Sequence, residues 1–230
     1  MNNSKLTVLF PVRNEVRSLE MALKVLVAIQ KDLVGEILVI VDDPIDQSLI
    51  VASMFLDFPC IRFVVNTDGV GVFNAISFGV KVAKYDKILI LVADEILPTL
   101  KLEEFASALN YYDFVSATRY KNGGKRYGGN YIGRGISFVA NKILSLRFLN
   151  KISDATTGIK GFHKKHWEIL SKNADGVGWS CAMQFCINAY KSRISYAEIP
   201  VISVDRPFDG VSTFKLWSWI FGYTRKLIKS

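Results

Sequence analysis

Apolar runs alternate with amphipathic stretches through the first hundred residues. Leu6–Val12, Glu36–Val41, Ile61–Val65 and Ile88–Val92 are short and aliphatic, the composition of strands buried on both faces. Between them, Glu15–Gln30 carries Leu19, Ala22, Leu23, Leu26 and Ile29 at helical spacing. Gln47–Leu56 and Val72–Ala83 read as two further helices. Strand and helix in this alternation predict an α/β fold with a mainly parallel sheet of right-handed βαβ units.

The second half is less regular. A helix is expected over Leu102–Leu109, a strand over Phe114–Thr118, and a loop over Lys121–Gly135, rich in Gly, Lys, Arg and Tyr. That loop is either mobile or completed by a ligand. Helices are expected over Ile136–Phe148, Lys165–Ser171 and Trp179–Tyr190, and a strand over Gly158–His163. The apolar stretch Ile194–Val204 contains Pro200 and so suits an edge strand. Without repeats or a linker, residues 1–204 read as one domain, with 205–230 as an amphipathic segment of the same unit.

Composition narrows the partners. Of 230 residues half are hydrophobic, and Lys and Arg number 29 against 21 Asp and Glu, a formal charge of +8. The excess favours anionic ligands or an acidic membrane face. The bases are interspersed and no RNP or helix-turn-helix pattern occurs, which argues against nucleic acid. Cys60, Cys181 and Cys186 lack metal or disulfide spacing and suit core packing in a reducing compartment. His163 and His166 read as structural. No secretory leader pattern or apolar run of bilayer length is visible, so a cytoplasmic chain is expected, peripheral to a membrane at most.

Chemistry gathers where strands end. Asp94 and Glu95 follow one aliphatic run, Asp42 and Asp43 another, and Arg13, Asn14 and Glu15 a third. Open α/β sheets bind ligands at the carboxyl ends of their strands. If the two acid-tipped strands are neighbours, their carboxylates meet at one edge. There they could accept hydrogen bonds from a base or ribose, or hold a hard cation against a diphosphate. Neither GxGxxG nor GxxxxGK follows the first strand, which disfavours dehydrogenase and P-loop readings.

Six segments, in order, carry a resemblance: FPVRNE, IVDDPIDQS, NTDGVGVFNAISFGVKVA with LVADE, SATRYKNGG, SDATTGIKGFHK and RPFDGVSTF. They are similar to the motifs of the family 2 glycosyltransferases of the GT-A fold. Among those, the chain most resembles the polyprenyl-phosphate sugar transferases of the dolichol-phosphate mannose synthase type, from about Leu6 to Lys215. The resemblance implies inverting transfer of a hexose-type sugar from a nucleoside diphosphate, with Mg²⁺ or Mn²⁺. It places Pro11, Arg13, Glu15, Asp42, Asp43 and Ala93 against the donor and makes Asp94 the metal ligand. It gives Arg119 the donor phosphates and Arg134 the acceptor phosphate, where guanidinium forks stabilise the leaving charge.

Two departures matter. Val92 stands where the family's Asp-x-Asp has its first aspartate, and Thr213 replaces a lysine that Lys215 would have to serve for. The segment GVGWSCAMQFC has no acid, and Gln184 stands where relatives often carry Glu. A hydroxyl acceptor needs a base, whereas a phosphate is already ionised, so a lipid phosphate acceptor is favoured. The tail STFKLWSWIFGYTRKLIKS suits an interfacial helix, or one packed on the domain or a dimer partner. Two other readings stay open: a transferase acting on a glycan hydroxyl, and a non-catalytic nucleotide-sugar-binding subunit.

Overall fold

The structure is a computed structural model and describes residues 5–30, 32–121, 123–128, 131–148, 152–175 and 178–204. The first half follows the hydrophobic pattern: β1 (Leu6–Pro11), α1 (Arg17–Ile29), β2 (Val34–Val41), a 3-10 helix (Gln47–Phe55), β3 (Ile61–Val65), α2 (Val72–Val82) and β4 (Lys87–Ile90). A 3-10 turn (Leu97–Lys101) leads to α3 (Leu102–Ala108), β5 (Phe114–Thr118), β6 (Lys125–Tyr127) and α4 (Tyr131–Arg147). Then come β7 (Lys160–His163), a 3-10 turn (Lys164–His166), α5 (Trp167–Ser171), α6 (Ser180–Lys191), β8 (Tyr196–Pro200) and β9 (Ile202–Val204).

Seven strands make one sheet in the order β3-β2-β1-β4-β7-β5-β8, and β6 pairs with β9 in a separate parallel ribbon. β1 to β4 are mutually parallel, β7 runs against both β4 and β5, and β8 is parallel to β5. The carboxyl ends of β1, β2, β4 and β5 therefore share one edge. The α/β architecture with a mainly parallel sheet, expected from sequence, is the one observed.

Helix packing follows the apolar stripes. α1 buries Leu19, Ala22, Leu23 and Leu26 on one face of the sheet. On the other face α2 buries Ala75, Ile76 and Val80, and a side chain at Gly79 would collide with Ile40 and Leu9. α6 lies on the same side, with Cys181 and Cys186 fully buried, whereas Cys60 is half-buried rather than in the core.

Four expectations are corrected. Gln47–Leu56 is 3-10 rather than α, its buried Ser48 and Val51 three residues apart. The supposed loop Lys121–Gly135 holds β6 and the first turn of α4, which begins five residues before Ile136. Ile194–Val204 divides at Pro200, which ends edge strand β8, and β9 pairs elsewhere. Finally, the strands tipped by Asp42 and Asp94 are not neighbours: β1 lies between them.

At the opposite edge, His163 bonds Asp86 at 2.8 Å and the Leu109 carbonyl at 2.9 Å, a structural role. Asp113 accepts from Ser195 Oγ at 2.8 Å and pairs with Lys165 at 3.1 Å, closing the start of β5 on β8. Burial alone would raise its pKa, but Ser195, Lys165 and His166 outweigh it and hold the carboxyl well below its ordinary value. A depressed pKa contributes stability that is present above the unfolded value near 4 and is lost as pH falls through the folded one. Asp113→Asn should therefore melt below the parent at pH 7, with a gap that closes as thermal scans move below about pH 4.

Candidate active site

The loops at the carboxyl edge are tied down by carboxylates. Asp46, buried after β2, accepts from the backbone N–H of Asn14 with both oxygens, at 3.0 and 3.1 Å, and from Ser48 N at 2.8 Å. Asn14 sits at φ 54, a left-handed position that Asn tolerates, and its Oδ1 accepts from Gln47 N at 3.3 Å. Glu15 N donates to Ser48 Oγ at 2.9 Å. The loop after β1 is thereby stitched to the loop after β2, which leaves Arg13 exposed and Glu15 half-buried at the rim. Pro11 ends β1 opposite Ile40.

Asp42 has a similar task on the other side of β2. One oxygen accepts from Asn66 Nδ2 at 2.9 Å, the other from Gly71 N at 2.8 Å, at the start of α2. A carboxylate there also opposes the positive end of the helix dipole. Asp42 is thus a fastener of the 66–71 loop, with its two oxygens already engaged. Asp43 is exposed and accepts from Ile45 N at 3.0 Å in a local turn. Of the two acids expected to hold a nucleoside, Asp43 is the one presented to solvent.

Beyond β4 the chain turns through Val92–Glu95, closed by Glu95 N to Val92 O at 3.1 Å. Ala93 is buried and Asp94 half-buried. A Cβ placed on Gly158 would lie 2.7 Å from the Trp179 ring and 2.9 Å from Val92 Cγ2. The position where a second metal carboxylate would stand is therefore packed in an apolar corner of Gly158 and Trp179. Among the described residues no group of three or more His, Cys, Asp or Glu side chains could cage a metal unaided. One or two carboxylates, completed by phosphate oxygens and water, are a donor set that Mg²⁺ accepts, and Asp94 fits that role.

Arg119, directly after β5, is bound into the edge by several hydrogen bonds. Its Nε donates to Asp154 Oδ2 at 2.7 Å and its Nη2 to Asp154 Oδ1 at 3.0 Å, a bidentate fork, while its backbone N–H adds a third bond at 3.0 Å. Nη2 also donates to Thr156 Oγ1 at 2.9 Å. Both partners are nearly sealed from solvent, with side-chain exposures of 5% and 0%. Burial opposes the charge on each. For Arg119, the neighbouring Asp154, with a smaller contribution from Glu95, overrides burial and raises its pKa. Asp154 is lowered by Arg119 and then Lys160. Expected as a free phosphate ligand, Arg119 instead has one whole edge of its guanidinium committed to Asp154. What it offers a phosphate is the remaining side, and Glu95, in the turn after β4, adds to the negative charge acting on it.

The loop around Asp154 is clamped from two directions. From α4, Asn141 Nδ2 reaches Asp154 at 3.1 Å and Thr156 at 2.9 Å, and Ser137 Oγ lies 2.8 Å from Thr156 Oγ1. Arg134 is one turn earlier, its Nη1 3.5 Å from the Gly128 carbonyl. From β8, Glu198 accepts from Ser153 N and Oγ at 2.8 and 2.7 Å and pairs with Lys121 at 3.0 Å. Beneath them Lys160, fully buried, donates to Ser116 Oγ at 2.7 Å. Burial raises the Cys186 thiol in the same polar pocket, and raises Tyr196 too, whose hydroxyl donates to Glu198 at 2.8 Å.

Asp46, Asp154 and Glu198 are not singled out by the strand-end pattern, although a signal exists for Asp154. It is the sole carboxylate between Asp113 and Glu168, in a span with eleven lysines and arginines.

A model of glycosyl transferase family 2 matches residues 7–170, well over half of the sequence. The chain belongs to glycosyl transferase family 2. Solved structures of glucosyl-3-phosphoglycerate synthase from Mycobacterium tuberculosis share the fold of this family 2 chain. The complex with Mn²⁺, UDP and glucosyl-3-phosphoglycerate aligns with TM-score 0.71 and 17% identity, over 97% of this chain and 77% of that one. A complex with Mg²⁺ and UDP gives 0.71 and 16%, over 97% and 76%. One with Mn²⁺, UDP-glucose and phosphoglyceric acid gives 0.69 and 15%, over 97% and 77%.

The RPFDGVSTF segment, Thr213, Lys215 and the aromatic tail lie outside the described residues. Among the described residues no helix is long and apolar enough to cross a membrane.

Proposed function

We propose that this family 2 glycosyltransferase moves a hexose from a nucleoside diphosphate to a phosphate-bearing acceptor, a polyprenyl phosphate, with inversion at the anomeric carbon. The observation that carries this reading is the edge itself. Acid-tipped strand ends on β2 and β4 flank β1, and a cation-rich span of 114–167 with one buried acid closes the other side. Solved structures of the same fold hold Mn²⁺ or Mg²⁺ with UDP, and a phosphorylated acceptor, which supports a similar pairing here. Asp94 would hold the divalent ion, whose chemistry is to neutralise the departing diphosphate.

Asp43, Arg13 and Glu15 would face the nucleoside, while Arg119 and Arg134 supply positive charge to the phosphates. An acceptor phosphate oxygen forms the new bond to the anomeric carbon as the bond to the donor diphosphate breaks. No proton has to be removed, and α6 offers none of the acids that a hydroxyl acceptor would need: Gln184 bonds Asn188 at 2.9 Å. The apolar packing of Val92 is the observation favouring a second reading, a nucleotide-sugar-binding subunit without turnover.

The test is release of nucleoside diphosphate from a panel of nucleotide sugars, with Mg²⁺ or Mn²⁺ and a short polyprenyl phosphate. Release that depends on the lipid phosphate supports the proposal. Release only with a glycan hydroxyl would replace the acceptor, and binding without release would favour the subunit.

A further inference from the structure

α4 has two unlike faces. Ser137 and Asn141 face the Asp154–Thr156 loop, Arg134 lies one turn before Ser137, and Ala140, Leu144 and Phe148 are buried. The opposite face should be polar on a surface helix. Instead Val139 is 56% exposed, Ile143 46% and Leu146 61%. Val139, Ile143 and Leu146 follow the i, i+4, i+7 spacing of one stripe, and exposed Lys142 and Arg147 border it.

A second exposed apolar group, Ile45, Ile50, Met54 and Leu56, lies on the segment 43–57. That segment contains Asp43, Asp46 and Asp57 and no Lys or Arg, so it would be repelled by an anionic surface. The face on α4 lies in the span whose sole acid is buried against Arg119. Of the two surfaces only α4, whose residues 131–147 include Arg134, Lys142 and Arg147 and no Asp or Glu, combines apolar side chains with net basic composition, the pairing that seats a helix in anionic headgroups.

We propose that the Val139–Ile143–Leu146 face of α4 docks on an anionic lipid bilayer, bringing the site on the helix's other face to the membrane surface. The inference deepens the lipid-phosphate reading and rests on it. A helix is about 10 Å across, so a docked α4 puts Arg134 and the Asp154 loop within roughly that distance of the headgroups. A phosphate held in the headgroup layer is then within reach without leaving the bilayer.

The test is co-sedimentation of the full chain with vesicles of phosphatidylcholine mixed with phosphatidylglycerol, and with phosphatidylcholine alone. The full chain should bind the mixed vesicles, and Val139→Glu/Ile143→Glu should weaken binding by roughly a hundredfold with an unchanged melting temperature. Lys142→Glu, which leaves the apolar stripe intact, should weaken binding to the anionic vesicles alone. No binding by the parent, or equal binding by the double variant, overturns docking. So does a lowered melting temperature or a dimer-to-monomer change in the double variant, since residues 205–230 or a second copy would then cover the face. Turnover on a water-soluble, short-chain prenyl phosphate separates the two ideas. Its survival in the double variant leaves the transferase reading standing when docking fails, and vesicle binding without turnover does the reverse.

Discussion

Asp154→Ala should destabilise the chain by about 3–5 kcal/mol, the cost of leaving a buried cation without its partner. The Arg119 guanidinium loses two side-chain bonds and its backbone N–H a third, in a place where water cannot replace them. Lys160 loses the same counter-charge, and Asn141 loses its bond to the carboxylate. Equilibrium urea unfolding measures the loss. Arg119→Met combined with Asp154→Leu should recover much of it, because an apolar pair avoids the desolvation that an unpaired ion suffers. The double variant should nonetheless lose turnover, which would separate the pair's structural contribution from the charge it presents to phosphate. A single Asp154→Ala variant as stable as the parent would mean that the pair does not hold the loop.

Asp94→Ala should have the opposite profile. The residue is half-buried in the turn after β4, so the stability change should stay at about 1 kcal/mol or less. Turnover should fall by roughly a hundredfold to a thousandfold, the usual effect of removing one group that stabilises developing charge. Val92 explains the concentration of effect on one residue: its side chain packs at Gly158 and Trp179, so no second carboxylate stands in the turn at that position. Val92→Asp would set a charge against that apolar corner and should lower the melting temperature without strengthening metal binding. A modest, several-fold loss in Asp94→Ala would place the ion, if one is used, elsewhere on the edge.

Much of the fold is legible in the sequence because β1, β2 and β4 are buried on both faces, and edge strand β3, half-buried rather than buried, keeps the same aliphatic composition. α1 and α2 follow equally from the spacing of Leu19, Leu23 and Leu26, and of Ala75, Ile76 and Val80. The start of α4 is not legible: Gly133, Arg134 and Gly135 look like loop, and tertiary bonds from Ser137 and Asn141 to the Asp154 loop anchor the helix instead. Nor is the strand order, since local pattern cannot say that β1 separates β2 from β4. The candidate site divides the same way. Residues at strand ends announce themselves by position, whereas Asp42 as a loop fastener and Arg119 as half of a buried pair emerge only from contacts distant in the chain. Asp46 is an intermediate case, because Asp46-Gln47-Ser48 is a recognisable capping sequence whose partner, the Asn14 backbone, is not.

The proposed cradle at the carboxyl edge would take a nucleoside diphosphate together with a divalent ion. Isothermal titration of the chain with nucleoside diphosphates, with and without Mn²⁺, measures it directly, alongside Asp94→Ala. Binding should tighten with Mn²⁺ in the parent and lose that dependence in Asp94→Ala. Absence of binding by every nucleoside diphosphate, or an Mn²⁺ dependence untouched by the substitution, would contradict it.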